Sequence, residues 1–418
     1  QRRHQKVVEE TPAPRLPEAT RAALHEAARA AAAAVDYRGA GTVEFLYDEE
    51  RDAFWFLEMN TRLQVEHPVT ELVHGVDLVA LQIAVAEGAA GAPVPGQPHG
   101  HAVEVRLYAE DPAADYRPQT GRLATFEIPA TEGIRVDAGY RSGSEVSPFY
   151  DAMLAKVVSW APTREVAIRQ LVGALRRARI HGVTTNRDQL VAILSDPAFL
   201  AGEVSTAFLD GFVPAASEPD EGAAVAAALA LAELHGARRT VQRGIPVAWR
   251  NVPSQPQRTV FEEASVAWWG GRTGYQVDGF AVIAAAVDTV TLERDGVRTS
   301  YAVSHHDGHV DVDSPRGHRR LTLTPRFTDP ASQHASGSLL APMPGTVVAV
   351  NAAVGDHVEP GQAVLVLEAM KMQHTVTAPH AGTVTEIDVS TGRQVAAGDV
   401  LAVVTEDASA TEEEGATS

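Results

Sequence analysis

The sequence predicts a multi-domain α+β protein, and three features of its 418 residues support this prediction. Helix-like and strand-like segments alternate up to about residue 214. One helix and then short strands, separated by glycine, proline and aspartate, fill residues 221–325. An internal repeat occupies residues 345–404. A chain of this length is enough for roughly two to four domains.

The first part of the chain begins with an alanine-rich stretch, residues 17–35, which has high intrinsic helix propensity. The segments "GTVEFLY" (41–47) and "AFWFLEM" (53–59) are typical of strands, and the five residues between them suit a hairpin loop. We expect a further helix over residues 69–88 and an alternating strand over residues 101–110.

Residues 163–180 place apolar side chains at helical spacing with basic residues between them. Shifts in composition then divide the chain. The predicted segments are an incomplete domain (1–95), an α+β domain (96–214), a small β-rich domain with one helix (215–327), a polar linker (328–338), an all-β domain (339–406) and a disordered acidic tail (407–418).

Charge and cysteine content narrow the possible partners and the compartment. The formal net charge of −19 argues against nucleic acid or an anionic membrane as the main partner. No segment approaches the ~20 apolar residues that cross a bilayer. The absence of cysteine excludes disulfides and thiolate metal sites, and it is consistent with a cytoplasmic location. Because "QRRHQKVVEE" at the start is typical of a domain interior, we expect an N-terminally truncated fragment.

The internal repeat aligns residues 345–367 with residues 382–404 at a constant offset of 37. Two copies of a strand–turn–strand unit favour two halves packed face to face, since each half is too small to bury its own apolar face. The segment "EAMKMQ" (368–373) lies between the copies and is predicted to form a hairpin tip that exposes Lys371.

Lys371 is flanked by two of the five methionines in the chain. Exposed methionines reduce solubility and indicate a function. Ala-Met-Lys-Met, together with "APMPG" (341–345), resembles the attachment site of biotin carrier domains. The resemblance implies a biotinyl/lipoyl-like flattened barrel over residues 339–406, biotin in amide linkage to Lys371, and modification by a biotin protein ligase. Lipoyl domains share this fold but usually show Asp-Lys-Ala at the tip, so lipoate is the alternative.

Polar residues are dense in "FLEMNTRLQVEHPVTE" (56–71). Alternate positions project to one face if the segment stays extended. Those positions carry Glu58, Asn60, Arg62, Gln64 and Glu66.

Glu44 could join this face from the preceding strand. If Tyr47 pairs with Ala53, Glu44 lies opposite Phe56 and diagonal to Glu58, with Cβ atoms roughly 7 Å apart. Two carboxylates so placed repel unless a cation lies between them, and Mg²⁺ suits the position. A shift of register by one residue would separate the two carboxylates.

Residues 1–214 resemble the C-terminal half of biotin carboxylase, an ATP-grasp enzyme. The resemblance rests on "QRRHQK", "EMNTRLQVEHPVTE", "GHAVEVRLYAEDP" and "FYDAMLAKV". It makes residues 1–95 the C-terminal part of the ATP-grasp domain and residues 96–214 the biotin carboxylase C-terminal domain. The implied roles are Mg²⁺ or Mn²⁺ binding by Glu44, Glu58 and Asn60, bicarbonate binding by Arg62, Gln64, Val65 and Glu66, catalysis by Lys6, Arg62, Glu66 and Arg106, and ATP binding by Gln1, His4, Leu46, Leu57 and Val183.

Each implied role has a chemical reason. Bicarbonate is a poor nucleophile until it loses its proton, so a carboxylate base such as Glu66 is useful. Arg62 can bind the planar anion through two parallel hydrogen bonds. Arg106 can stabilise the oxyanion that develops on the biotin ureido group. Mg²⁺ would neutralise charge on the transferring phosphoryl group of ATP.

Residues 215–327 distinguish between relatives of this family. A carboxyltransferase TIM barrel needs roughly 250 residues and does not fit here. The segment instead resembles the β-subunit contact domain of acyl-CoA carboxylase α-subunits, enzymes of fatty acid metabolism. This implies a hetero-oligomer with a separate carboxyltransferase β-subunit. The sequence does not indicate which acyl-CoA is carboxylated. The alternatives are a biotin carrier or scaffold protein without carboxylase activity and an ATP-grasp ligase without biotin. The fragment alone is expected not to use ATP.

Overall fold

The computed structural model describes residues 6–89, 96–212, 220–252, 254–306, 308–327, 337–369 and 372–406. Three large buried apolar clusters occupy separate stretches of this chain, within residues 7–209, 223–321 and 339–404. The predicted α+β class is confirmed, and the clusters follow the predicted order of domains. The exact boundaries between the domains stay predictions.

The first stretch, residues 6–212, contains most of the helices. Its helices are α1 (Glu18–Ala34), α2 (His67–His74), α3 (Leu78–Ala86), α4 (Arg164–Arg177), α5 (Arg187–Ser195) and α6 (Pro197–Ala201), with 3₁₀ turns at Pro112–Ala114 and Phe208–Gly211. Its strands are β1 (Val8–Thr11), β2 (Thr42–Asp48), β3 (Ala53–Asn60), β4 (His101–Tyr108), β5 (Glu110–Asp111), β6 (Arg117–Pro118), β7 (Gly121–Arg122), β8 (Thr125–Glu127), β9 (Ile134–Ala138), β10 (Glu145–Val146), β11 (Met153–Ala161) and β12 (Arg179–His181).

A four-stranded antiparallel sheet in the order β1-β4-β11-β9 organises this stretch. Val8, Val105, Val157 and Val136 form one row across the four strands. This row belongs to the same apolar cluster as the buried side of α4. One face of the sheet is therefore the core of the domain.

The opposite face of the same sheet carries charge, because the side chains next to the valine row point to the other side. Glu104 and Arg106 on β4 flank Val105, and they pair with Glu9 on β1 and with Lys156 on β11. Helix α2 lies over the same face and contacts β1, β4 and β11. A charged layer is thus buried between the sheet and the segment that leads into α2.

The helix predicted over residues 69–88 is two helices, α2 and α3, so this prediction is wrong in its middle. Gly75 ends α2 with φ = 65°, a left-handed conformation that glycine adopts without strain. Asp77 then caps α3 by accepting a hydrogen bond from the Ala80 amide. Among the described residues no single helix is long and apolar enough to span a membrane, although α2 and α3 together pass that test across their 99° bend.

The second stretch packs one helix against antiparallel strands. Its elements are α7 (Glu221–Ala237), β13 (Gln257–Val260), β14 (Ser265–Gly271), β15 (Gly274–Gln276), β16 (Ala281–Ala285), β17 (Thr289–Arg294), β18 (Val297–His306), β19 (His309–Ser314) and β20 (Gly317–Thr322). Strands β16 to β20 form a meander in chain order. Helix α7 is buried on all sides over residues 222–232 and packs against this meander and β14, as predicted for a small β-rich domain with one helix.

The third stretch is all β, as predicted. Its strands are β21 (Ser338–Leu340), β22 (Gly345–Val350), β23 (His357–Val358), β24 (Ala363–Ala369), β25 (Met372–Thr377), β26 (Gly382–Ile387), β27 (Gln394–Val395) and β28 (Val400–Glu406). They form two four-stranded sheets, β21-β28-β26-β23 and β25-β24-β22-β27.

The sequence repeat is confirmed in this stretch, since β22, β23 and β24 recur as β26, β27 and β28 at the offset of 37. Each half gives its short strand to the sheet of the other half: β23 pairs with β26, and β27 pairs with β22. Strand β21 begins at Ser338, so the end of the predicted linker 328–338 already belongs to the first of these two sheets. Residues 328–336 of that linker and the tail 407–418 lie outside the described residues.

Candidate functional site

The β2/β3 hairpin brings two carboxylates together. Glu44 pairs directly with Glu58, and the Asn60 side-chain amide donates to both, at 3.1 Å to Glu44 Oε1 and 2.8 Å to Glu58 Oε1. The predicted proximity of Glu44 and Glu58 is therefore present, as a direct pair rather than a diagonal one. The predicted register, with Tyr47 opposite Ala53, is wrong by one residue.

The reason for the different register is a tighter turn and a bulge. Asp48 pairs with Ala53, and the Asp48 side chain accepts from the amides of Glu50 and Arg51, which closes a four-residue turn. A bulge at Leu57 then realigns the strands so that Glu58 lies opposite Glu44. This bulge restores the proximity that the changed register alone would have lost.

The segment after β3 does not stay extended, which corrects the predicted one-face alternation beyond Asn60. Strand β3 ends at Asn60, and Glu66 already occupies the position before the first residue of α2. The chain folds back on the hairpin instead. Arg62 Nη1 donates to Asn60 Oδ1 at 2.5 Å, and Gln64 Nε2 donates to Glu44 Oε1 at 3.0 Å. The predicted polar side chains therefore still converge, through a loop rather than along a strand.

Lys6 joins the hairpin to the loop. Its ammonium group donates to Glu44 Oε1 at 2.9 Å and also contacts Glu66 Oε1. Burial opposes the charge of Lys6, but its hydrogen bonds to Glu66 and Glu44 raise its pKa above the usual value. Burial likewise opposes the charge of Glu44, yet hydrogen bonds from Gln64 and Lys6 lower its pKa. Both partners therefore keep their charges at neutral pH.

Arg106 reaches the same loop from the charged face of the sheet. Its Nη2 lies 3.0 Å from Glu66 Oε2, and its Nε donates to Glu9 Oε1 at 2.6 Å. Its side chain is only 12% exposed, so the two carboxylates compensate a largely desolvated cation. Glu66 therefore lies between two cations, Lys6 on one side and Arg106 on the other.

Two further members of the charged layer were not identified from the sequence. Glu104 is fully buried opposite Glu9, and neither of its carboxyl oxygens has a hydrogen-bond partner among the described residues. The alternation of "HAVEVRLYAE" could have indicated it, because Glu104 shares a face with Arg106. Lys156 Nζ donates to the Val65 carbonyl at 2.9 Å, and no local pattern in the sequence indicates this contact.

Three of the residues predicted to contact ATP are described by the structure, and they differ in exposure. Leu46 and Leu57 are half exposed on the hairpin, at 48% and 50%, whereas Val183 is buried in the main core. Gln1 and His4 lie outside the described residues, so the adenine pocket stays a prediction.

The predicted biotin-accepting hairpin is formed by β24 and β25. These strands pair up to Ala369 and Met372, and the chain between them consists of Met370 and Lys371. Both of these residues lie outside the described part of the chain. The paired strands support the prediction of a hairpin at this place, and the modification of Lys371 stays a prediction.

A cluster of imidazoles and carboxylates, also not identified from the sequence, lies where the first two stretches meet. His181 Nε2 lies 2.8 Å from Asp313 Oδ2, and the His181 ring stacks on His318 at 5.2 Å. Such groups could hold a metal ion. However, Arg179 and Arg187 lie 3.5 Å and 4.0 Å from the Asp313 carboxylate and already compensate its charge. The cluster is better explained as a polar contact between domains.

Three family models match the chain. Residues 1–92 match "Carbamoyl-phosphate synthase L chain, ATP binding domain", residues 104–211 match "Biotin carboxylase C-terminal domain", and residues 337–404 match "Biotin-requiring enzyme". The chain therefore matches, in order, an ATP-binding domain, a biotin carboxylase C-terminal domain and a biotin-requiring domain.

Similar proteins agree with these matches. The mitochondrial methylcrotonoyl-CoA carboxylase subunit alpha of Dictyostelium discoideum is 35% identical over 97% of this chain and 63% of its own length. The propionyl-CoA carboxylase alpha chain of Ruegeria pomeroyi is 37% identical over 96% of this chain and 66% of its own length. This chain thus spans less than two thirds of these relatives.

Among solved structures, the complete multifunctional pyruvate carboxylase of Rhizobium etli matches with a TM-score of 0.51 and 38% identity. The match covers 63% of this chain and 26% of that protein.

Proposed function

Since this chain is homologous to the α-subunits of biotin-dependent acyl-CoA carboxylases and carries their biotin carboxylase and biotin-requiring domains, we propose that it serves the ATP- and bicarbonate-dependent carboxylation of biotin. The observation that carries the proposal is the position of Glu66. Three separate segments converge there, with Lys6 before β1, Arg106 on β4 and Glu66 itself in the loop before α2. A carboxylate held between two fixed cations is suited to handle a small anion and its proton.

Bicarbonate binding would fall to the loop between β3 and α2. Arg62 and Gln64 both extend from this loop towards the hairpin. The guanidinium of Arg62 matches the planar geometry of bicarbonate, and the Lys6 ammonium adds a point charge beside it. The carboxylate of Glu66 would accept the bicarbonate proton, which makes the anion a better nucleophile towards the ATP γ-phosphorus.

Arg106 would act on the other side of Glu66. Its pKa is raised although burial opposes its charge, because Glu9 and Glu66 lie against it. It therefore stays cationic at any working pH. A fixed guanidinium can stabilise an enolate-like oxygen on the biotin ring while the carboxyl group is transferred. Glu9 on β1 holds this guanidinium in orientation, so the group needs little reorganisation during the reaction.

The residues of the hairpin fit a magnesium or manganese ion. Glu44 and Glu58 offer carboxylate oxygens from directly paired positions, and oxygen ligands are what Mg²⁺ and Mn²⁺ prefer. Asn60 contacts both carboxylates and would complete the set through its own oxygen. When bound there, the ion would supply charge neutralisation for the ATP phosphates.

If the protein were only a biotin carrier, the convergence of Lys6, Glu66 and Arg106 would have no role, because a carrier needs only the biotin-requiring domain in the third stretch. We therefore favour the enzyme component. Its proposed partners are a carboxyltransferase β-subunit, which the region 215–327 would contact, and a biotin protein ligase. The named relatives are carboxylases of methylcrotonoyl-CoA and propionyl-CoA. Which acyl-CoA is carboxylated with the help of this chain is not determined by the proposal. The cytoplasmic location also stays a prediction.

A bicarbonate-dependent assay tests the proposal. The protein that contains this chain at its full natural length would be incubated with MgATP, free biotin and radiolabelled bicarbonate. We expect release of phosphate that requires bicarbonate, and acid-labile label on biotin. Arg106→Met should abolish labelling of biotin. Phosphate release and labelling that are both absent in the wild-type protein would contradict the enzyme proposal and favour the carrier.

A further inference from the structure

The lysines of this chain are unusually few. Arginine supplies 32 of the 35 basic side chains, and the three lysines are Lys6, Lys156 and Lys371. Lys6 lies in the candidate site, and Lys371 lies in the proposed biotin-accepting motif. In a chain that uses arginine almost everywhere, a lysine indicates a place where an ammonium group is needed and a guanidinium does not serve. The candidate site and the biotin-accepting motif do not explain why an ammonium group is needed at Lys156.

Lys156 lies on β11, directly opposite Arg106 on β4, and its side chain is 12% exposed. Three acceptors surround its ammonium group. They are the Val65 carbonyl at 2.9 Å, His67 Nε2 at 3.0 Å and Asp137 Oδ2 at 3.5 Å. An ammonium group has three N–H donors in a compact tetrahedral arrangement, so each acceptor can receive one. A planar guanidinium cannot converge on three acceptors arranged around one point.

These acceptors are themselves joined. His67 Nδ1 lies 3.0 Å from Glu71 Oε1, and Arg135 bridges Glu71 at 2.7 Å to Asp137 at 2.8 Å. Lys156, His67, Glu71, Arg135 and Asp137 therefore form a closed polar ring beneath the start of α2. The ring ties β11 and β9 of the sheet to the first turn of α2.

The Val65 carbonyl is the point at which the Lys156 ammonium group reaches the loop of the candidate site. Val65 stands between Gln64, which donates to Glu44, and Glu66, which lies between Lys6 and Arg106. We infer that Lys156 is a positioning residue, which fixes the Gln64–Glu66 backbone on the sheet so that Glu66 and the bicarbonate-binding side chains keep their geometry. The part of this inference that concerns bicarbonate rests on the proposed function.

The chain offers a matched control for this inference. Arg164 is also largely buried, at 13% exposed, and it also bonds one carboxylate and the backbone of a neighbouring segment. Its partners are Glu10 Oε2 at 2.7 Å and the carbonyls of Leu200 and Phe199, each at 2.8 Å. It lies at the start of α4, and within the described part of the chain its hydrogen bonds go to Glu10, Phe199 and Leu200, none of which is a candidate site residue. Arg164→Met therefore removes a comparable buried cation without touching the loop.

Hydrogen exchange on this chain tests the structural part without any assay of activity. Lys156→Met should speed exchange of the amides in residues 61–70 by about 10-fold, because local opening becomes easier when a buried anchor is lost. Arg164→Met should leave that segment unchanged. Lys156→Arg keeps the positive charge in the buried layer. It should still speed exchange, because a planar guanidinium cannot bond all three acceptors. Unchanged exchange of residues 61–70 in Lys156→Met, or in Lys156→Arg if Lys156→Met does not fold, would overturn the inference.

Kinetics on the full-length protein test the functional part. In Lys156→Met and Lys156→Arg the KM for bicarbonate should rise by about 10-fold, while the KM for MgATP stays within about 2-fold. A purely structural lysine would change neither constant once the variants are compared at equal folded fraction, and that result would overturn the bicarbonate role. If the wild-type protein shows no bicarbonate-dependent phosphate release, the proposed function fails, and the exchange experiment alone decides the role of Lys156.

Discussion

Glu44 and Glu58 face each other as a direct pair across the β2/β3 hairpin, and the Asn60 amide donates to both of them. Continued without interruption, the register of the Asp48–Ala53 pair would put Glu44 opposite Leu57. Because of the bulge, Leu57 has no partner on β2, and Glu58 takes the position opposite Glu44. Two carboxylates that share one amide donor form a position that a divalent cation can occupy when the amide turns its oxygen inward.

Removal of either carboxylate should weaken binding of a divalent cation. In a titration of this chain with Mn²⁺ alone, followed by electron paramagnetic resonance, Glu44→Gln and Glu58→Gln should each weaken binding by ~10-fold or more. Glu50→Gln, at the turn of the same hairpin, removes the same charge and should have little effect. Equal Mn²⁺ affinity in the Glu58→Gln and Glu50→Gln variants would contradict the metal assignment.

Substitution of Glu66 should separate the base from the metal ligands. In the full-length protein, Glu66→Gln keeps the size of the side chain but cannot accept a proton, so kcat for biotin carboxylation should fall by ~10²-fold or more. The affinity for MgATP should change little. Glu58→Gln should weaken MgATP binding as well. Steady-state kinetics with MgATP varied at saturating bicarbonate measure both effects. Near-normal kcat in Glu66→Gln would show that another group takes the proton.

Glu104 should make stability depend on pH. Its burial, with a smaller contribution from the charge of Glu9, raises its pKa to about 9, although Lys156 and Arg106 oppose the shift. A carboxyl group with a raised pKa in the folded state contributes its full stability below its unfolded-state pKa and loses that contribution as the pH rises towards 9. Glu104→Gln has no such proton to lose. The Tm of the variant minus that of the wild type should therefore increase between pH 5 and pH 8.5.

Glu71 provides a control of opposite sign in the same charged layer. Burial opposes its ionisation, but hydrogen bonds from Arg135 and the Leu78 amide lower its pKa. Its contribution to stability is present above its unfolded-state pKa and is lost as the pH falls. Glu71→Gln should therefore destabilise the chain more at pH 7 than at pH 4. If thermal unfolding gives a pH-independent difference for Glu104→Gln, the neutral state of Glu104 is refuted.

Lys371 should be the biotin acceptor. After co-expression with a biotin protein ligase, the intact mass of this chain should rise by one biotinyl group, and Lys371→Arg should remove the rise. Because the chain has only two other lysines, Lys6→Arg and Lys156→Arg complete the set of controls and should both keep the modification. Biotin mapped to either of those lysines would refute the assignment.

Local patterns in the sequence were enough to predict much of this protein. The alanine-rich run predicted α1, the offset of 37 predicted two equivalent halves of the barrel, and the alternation of "HAVEVRLYAE" predicted β4. The motif around Lys371 and the resemblance of residues 1–214 indicated the family. These signals are local because helix propensity, strand alternation and repeats are properties of neighbouring residues.

Only the tertiary structure decided how the site is assembled. The hairpin register depended on a four-residue turn and on the bulge at Leu57, and neither has a distinctive sequence pattern. The break at Gly75 divided the segment 69–88, which was predicted to form one continuous helix. Lys156 meets Val65 from 91 positions away in the chain. Such contacts depend on how the sheet and the helices pack together, so the sequence determined which chemical groups are present, and the packing of the strands determined which of them meet.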